Sequence, residues 1–452
     1  MRLLLRPTAL TLSLFLAGYV YYNTFYNAKS NYADAVKGQD VEPGRANKEL
    51  LEKCITRCEK VVKYHPRSRW ADDAVLLMGK CFYYMGEHRN ALRKFEELEI
   101  YYPEGGLLPE SYYYSGLAHQ ALGSRNSAIA SFRQAVESEP EGELVEQSIY
   151  QIVNTYFLDE DYDDAISSST DFLSRFPRSE YKDEVLFIQA QSFFNVERYD
   201  ESIAAFEEFL STGPKKKLRF EALLKTGEAH LESQRIEEAL DVFLSLRKET
   251  LTPLEDAELA IRIAQGSRSL GNTEKALKQL DEVTILYSKT AASAEAYYLM
   301  GVICEQDLRE LEKAREYYDK ARSEAPYSEF SNQALMRATS IAKLAEYREK
   351  VKSGEQTDLA EAQFLLAELY YLEFNRIDEA LDEYRKVVDD YPDSKYGPRA
   401  AFAVAWILDH VKKDHAGARA AYRDVVERYP NTEYSNAADE AVKRIEEERL
   451  NQ

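Results

Sequence analysis

Residues 75–103 read VLLMGKCFYYMGEHRNALRKFEELEIYYP. Met78, Gly79, Phe82, Ala91, Phe95 and Leu98 recur there at i, i+3, i+4 and i+7 spacings, and Pro103 closes the stretch. That pattern specifies two amphipathic helices separated by a polar turn. Gly79 and Ala91 mark a close crossing of the pair, and proline ends the second helix because it lacks an N–H and clashes with the preceding turn. The next stretch repeats the same offsets with Gly116, His119, Ala128, Phe132, Ala135 and Pro140. Pro66, Pro103, Pro140, Pro177 and Pro214 are each 37 residues apart. A period in that range marks a solenoid, in which one helical unit is stacked many times.

The order of small, aromatic and proline positions resembles the tetratricopeptide repeat (TPR). Gly227, Ala239 and Phe243 carry it to Pro253, and Ala276 carries it to Ser288, where proline is missing. Gly301, Ala314, Tyr318 and Ala321 lead to Pro326; Ala380 and Tyr384 lead to Pro392; Ala418 and Tyr422 lead to Pro430. Ser169, Ser202 and Ala264 depart from it, standing where Phe, Ala and Gly are expected. The resemblance implies an all-α, right-handed TPR superhelical solenoid of about ten helical hairpins, with a long inserted helix and a C-terminal capping helix.

The expected division follows the breaks in the period. Residues 1–22 form a signal peptide or membrane anchor, 23–326 a first TPR block, 327–356 a long connecting helix, 357–430 a second block and 431–452 the cap. In the first block Tyr21–Lys37 and Asn47–Tyr64 make a degenerate opening pair. Gly354 is the expected C-cap of the connecting helix, and Thr357 or Asp358 the N-cap of the next.

Acidic residues outnumber basic ones by 79 − 58 = 21, which excludes a nucleic-acid-binding surface and suits a soluble, solvated array. Arg2 and Arg6 precede a nearly uncharged apolar run from Thr8 to Tyr22, the arrangement of a bacterial export signal. Leu16, Ala17 and Gly18 resemble the start of a lipobox, but Tyr19 stands in place of the acylated cysteine. Acylation at position 19 is therefore excluded, and the expected location is the periplasm or cell envelope, with tethering through residues 8–22.

Cys54 and Cys58 lie one turn apart on one expected helix, and Cys81 and Cys304 are isolated in sequence. They fill small apolar positions. No disulfide framework is expected in so large a core, and the Cys54–Cys58 spacing does not bridge easily. Neither metal nor cofactor is expected, because the cysteine and histidine spacings match no zinc motif. His119 and His230 occupy aromatic core positions, the acidic residues lie on outward faces, and the basic run Lys215, Lys216 and Lys217 is expected in an inter-repeat turn. No phosphate loop or nucleophile elbow is present. The chain is not expected to be an enzyme.

In the TPR family the first helix of each hairpin lines the groove, three residues before and four after the Gly position, with the next residue between. Projected onto this chain, the groove is Leu76, Lys80, Tyr83, Tyr113, Gln120, Tyr150, Asn154, Phe157, Phe187, Gln191 and Phe194, extended by Leu224 and Leu231. Rings with amide neighbours suit an extended or helical peptide; equally, such rings pack between adjacent first helices. Paired Lys and Arg clamp positions for a C-terminal carboxylate are missing.

Four repeat junctions share an aromatic-Pro-x-Ser-x-aromatic signature: His65 to Trp70, Phe176 to Tyr181, Tyr391 to Tyr396 and Tyr429 to Tyr434. With the stretch Tyr22 to Lys29, it resembles BamD-like outer-membrane assembly lipoproteins and the periplasmic TPR partner of the Tol–Pal system. The resemblance implies a noncatalytic envelope scaffold that binds partner proteins or peptides in its groove. The alternative expectation is a receptor for peptidoglycan or other glycan fragments, since rings also stack on sugars.

Overall fold

The structure is a computed structural model that describes residues 23–37, 42–354 and 359–450. Every regular element among them is helical. The expected export segment and the N-cap at 357–358 lie outside the described residues.

By internal packing the chain forms two compact units, residues 1–248 and 249–452. The first holds α1 (23–35), α2 (Lys48–Tyr64), α3 (Ala71–Tyr84), α4 (His88–Tyr101), α5 (Leu108–Ala121), α6 (Arg125–Ser138), α7 (Val145–Leu158), α8 (Tyr162–Arg175), α9 (Lys182–Asn195), α10 (Tyr199–Ser211), α11 (Lys216–Glu232) and α12 (Ile236–Leu246). The second holds α13 (Pro253–Ser269), α14 (Thr273–Leu286), α15 (Ala291–Gln306), α16 (Leu311–Glu324), α17 (Glu329–Ser353), α18 (Leu359–Leu372), α19 (Ile377–Asp390), α20 (Gly397–Trp406), α21 (His415–Arg428) and α22 (Glu433–Leu450). Among the described residues ten hairpins result: α1 with α2, then α3/α4 through α15/α16, then α18/α19 and α20/α21. Arg57 ties the opening pair by donating to the Asn27 carbonyl at 2.9 Å. Lys216 and Lys217 fall in the first turn of α11, after Lys215 at its N-cap, rather than in a turn between repeats.

In four hairpins the helices cross where a glycine on the first meets a ring on the second. A Cβ built on Gly79 would stand 2.3 Å from the Phe95 ring; Gly116 would meet Phe132 at 2.5 Å, Gly227 would meet Phe243 at 2.2 Å and Gly301 would meet Tyr318 at 2.5 Å. The fourth hairpin, α7 with α8, exchanges the partners. Val153 occupies the Gly position and Ser169 the ring position, both fully buried, so the larger side chain has moved to the opposite helix. The Ser169 hydroxyl donates to the Ala165 carbonyl, and Ser202 donates to Ala190 on α9 at 2.9 Å. Polar atoms at these core positions are therefore satisfied.

The turns inside hairpins repeat as strictly as the helices. Gly86, Gly123, Glu160, Glu197, Gln234 and Gly271 all have positive φ and lie 37 residues apart. After each, the next N–H reaches back five residues to a helical carbonyl, as in Glu87 to Phe82 and Asp161 to Tyr156. That is the 6→1 closure of a left-handed C-cap. Between hairpins, the Ser or Thr after proline caps the turn: Ser179 Oγ accepts from the Tyr181 N–H, and Thr432 Oγ1 from the Ser435 N–H. The aromatic residue that follows stacks on a first-helix ring of the preceding repeat. Tyr181 lies 4.6 Å from Tyr150, Tyr396 lies 5.2 Å from Phe364, and Tyr434 lies 5.9 Å from Phe402.

Helix α17 spans 25 residues, starts at the Ser328 side-chain cap and ends at Gly354 with φ 65°. Its Ala334, Ala338, Ile341 and Leu344 join the core that continues from α15 to α22. It packs on both helices of the preceding hairpin, as α22 does on α20 and α21. Glu305 on α15 is 5% exposed and accepts from Tyr318 Oη at 2.8 Å and from Arg337 of α17. Arg337 also donates to the Glu373 carbonyl at 2.9 Å.

Gly116→Ala is expected to destabilise the first unit by about 1–3 kcal/mol from overpacking against the fully buried Phe132, outweighing the ~1 kcal/mol that alanine adds to a helix interior; urea titration measures the sign. Arg337→Met is expected to cost the second unit about 3 kcal/mol by leaving Glu305 buried without its cation, with Glu305→Gln in the same chain restoring part of the loss.

Candidate functional site

The first helices of successive hairpins neighbour one another in the first unit, α3 beside α5 and α7 beside α9, with α9 beside α11. The projected groove residues lie along this row. Leu76, Tyr83 and Leu224 are buried. Lys80, Tyr113, Gln120, Tyr150, Asn154, Phe157, Phe187, Gln191, Phe194 and Leu231 are half-buried.

Many of these side chains are engaged with the adjacent repeat. Lys80 Nζ donates to Glu110 Oε1 at 2.7 Å and sits 4.8 Å from the Tyr114 ring. Gln120 Nε2 donates to Thr155 Oγ1 at 2.6 Å, and Lys225 Nζ lies 4.7 Å from the Phe194 ring. Within hairpins the ring four residues past the Gly position packs on the residue that opens the second helix. Tyr83 meets His88 at 5.6 Å, Phe157 meets Tyr162 at 6.1 Å and Phe194 meets Tyr199 at 5.6 Å. Phe187 faces inward on Phe206 and Phe209, and Tyr113 on Phe132.

Three of the projected residues converge. Tyr83, Gln120 and Asn154, from α3, α5 and α7, line one cavity of about 400 Å³ together with Arg125, Thr155, Leu158 and Asp159. Arg125 forms its wall by pairing with Asp159 at 3.2 Å and with Asp161. Burial pushes the Tyr83 phenol up to about 12, so it stays a neutral hydroxyl. The cavity offers one cation, amides, hydroxyls and an exposed Leu158, which is chemistry for backbone and side-chain contacts along a peptide. Lys80 instead faces a second cavity of about 520 Å³ beside α1, lined also by Phe25, Lys29, Tyr32 and Trp70. Gln191, Phe187 and Phe194 do not reach either cavity's lining.

Arg125, Thr155 and Asp159 escape a projection that counts only outward first-helix positions. One signal would have found Arg125 and Asp159. Ion pairs here join residues about one repeat apart: Arg125 with Asp161, Arg235 with Asp200 and Lys412 with Asp378.

The densest titratable cluster lies elsewhere, in the second unit. Asp409 sits in the π-helical turn Ile407–Val411 after α20, is 2% exposed, and accepts from His415 Nδ1 at 2.8 Å and from Arg444 of α22. His410 Nδ1 lies 3.6 Å from it and stacks on Trp406. Burial works to raise the Asp409 carboxyl, but the His415 and Arg444 hydrogen bonds outweigh it and hold it below 3.8. Paired on every side, it joins turn, α21 and cap. His119 and His230 are held neutral by burial. Among the described residues no group of three or more His, Cys, Asp or Glu is placed to hold a metal ion, and no helix is long and apolar enough to cross a membrane.

Against known families, a model described as an outer membrane lipoprotein (YfiO) matches residues 107–209. Tetratricopeptide-repeat models match 189–250 and 262–329, and 73–105, 361–394 and 399–432. No curated protein matches the chain. Among solved structures it is similar to RapI in its apo form, at 14% identity over 84% of this chain and 99% of that one, with TM-score 0.45. It is similar to Naa15/Naa10 bound to HypK-THB, at 17% identity over 94% of this chain and 66% of that one, with TM-score 0.42. A tetratricopeptide repeat protein from Parabacteroides merdae matches at 13% identity over 58% of this chain and 93% of that one, with TM-score 0.37.

Because a depressed carboxyl contributes stability above its unfolded pKa and loses it as pH falls through the lower native value, acidification below about pH 4 should weaken the second unit through Asp409. Asp409→Asn should be less stable at pH 7 and flatten that acid limb in a pH series of denaturant midpoints.

Proposed function

We propose, from the premise that the chain is a tetratricopeptide-repeat protein resembling BamD-like outer membrane lipoproteins, that it is a noncatalytic scaffold of the bacterial cell envelope. It holds partner proteins by an extended or helical segment laid along the first-helix row of residues 71–195. Residues 8–22 tether it to a membrane. The observation that carries this reading is the convergence of Tyr83, Gln120 and Asn154 from three successive repeats on one cavity walled by Arg125. A ligand bridging three repeats gains contacts from each while the stack, already ordered, loses little entropy. The outer membrane lipoprotein match covers α5 to α10, part of the same row, and favours the envelope as the compartment.

Cavity and rings can be separated by mutation. Asn154→Trp fills the cavity without removing any packing ring and should reduce retention of native partners at least tenfold, with unchanged helicity. The set Tyr150→Ala, Phe157→Ala, Phe187→Ala and Phe194→Ala should abolish retention. Recovery of the same partners by both variants at wild-type yield would refute the row as the binding face. Retention of isolated cell wall that Asn154→Trp removes would assign the row to glycan instead.

A further inference from the structure

Cys54 and Cys58 occupy successive turns of α2, and Cys81 lies on α3, which packs against it. All three side chains are fully buried in one apolar cluster with Leu51, Met78 and Phe95. The Cys54 thiol is coupled to both Cys58 and Cys81 in this cluster. That coupling favours the thiolate at Cys54 and lowers its pKa, while Cys58 and Cys81 are pushed up. Sulfur so placed between two thiols is more than a small apolar filler.

The geometry points to a redox site in which Cys54 and Cys81 form a disulfide that staples the opening helix pair to the first full repeat. The reaction is thiol–disulfide exchange with a low-molecular-weight or protein disulfide as oxidant. The Cys54 thiolate attacks one sulfur of that oxidant, its S–S bond breaks, and one thiolate leaves. Cys81 gives up its proton, attacks Cys54 Sγ and displaces the second thiolate. Two cysteine thiols are oxidised, one oxidant disulfide is reduced to two thiols, and the two protons end on those thiols. Since the pair is buried, exchange proceeds while the α2–α3 contact is open, and closing buries the product. Cys54 and Cys58 share one helix, where side chains one turn apart run parallel, so the cross-helix partner is preferred.

Trypsin separates the three cysteines: cleavage after Lys53, Arg57 and Lys80 puts them in peptides 54–57, 58–60 and 81–89. The full chain equilibrated with oxidised glutathione, alkylated in denaturant and digested should yield peptide 54–57 linked to 81–89. Its alkylatable thiols should fall from 4 to 4 − 2 = 2. Cys58→Ser should keep this link and the higher Tm that oxidation confers, whereas Cys81→Ser should lose both. A 54–57 to 58–60 link, glutathione adducts without a crosslink, four alkylated cysteines, or zinc co-purifying with the three thiols would each overturn the assignment. The peptide map uses the unmutated chain, so poor folding of a variant does not blunt it.

Discussion

The contact between a glycine on the first helix and an aromatic ring on the second sets how closely the two helices approach in four of the hairpins. At Gly79, Gly116, Gly227 and Gly301 a Cβ would lie 2.2–2.5 Å from the opposing ring, so the backbones approach as closely as a ring allows. Cores are packed to crystal-like density and tolerate exchange of volume better than loss or gain. The fourth hairpin illustrates the point within one chain, with Val153 and Ser169 in place of glycine and phenylalanine. The sum is kept although each position taken alone violates the repeat.

From this crossing follow the two other regularities. A hairpin of fixed separation needs a turn of fixed shape, and the left-handed residue recurs from Gly86 to Gly271 without a slip. Glycine takes that conformation freely; at Glu160, Glu197 and Gln234 an L side chain takes it at a cost of about 1 kcal/mol, and the 6→1 closure retains it. Between hairpins the ring after proline stacks on the previous first helix, as Tyr181 does on Tyr150. Thus a junction residue and a projected groove residue are partners in one contact. The same ring both orders the stack and borders the first-helix row.

That double use bears on how a scaffold of this kind works. Lys80, Gln120, Tyr150 and Phe194 each bridge to a neighbouring repeat or junction, so the row is ordered before a partner arrives. What remains open is a small set of polar atoms at the inner turns, where Arg125 and Asp159 wall a cavity. Order of this sort lowers the entropy lost on binding. The cap side of the second unit uses charge in a different manner: Asp409 and Glu305 are buried carboxylates completed by arginines from α22 and α17, fastening the helices that end each run of hairpins.

The proline period, the Gly and ring offsets and the junction signature were enough to write down the hairpins, because these are local patterns and each repeat meets mainly its neighbours. The row of neighbouring first helices was legible from the same register. Sequence could not tell which ring in that register is buried, as Tyr83 is, and which is half-open, as Phe157 is, since burial depends on side chains one repeat away. Nor could it assemble Cys54 with Cys81, which lie 27 residues apart in the chain. Helical periodicity fixes the face a residue shares within its own helix; only stacking decides what stands opposite, because that contact is set by the rise and rotation between repeats.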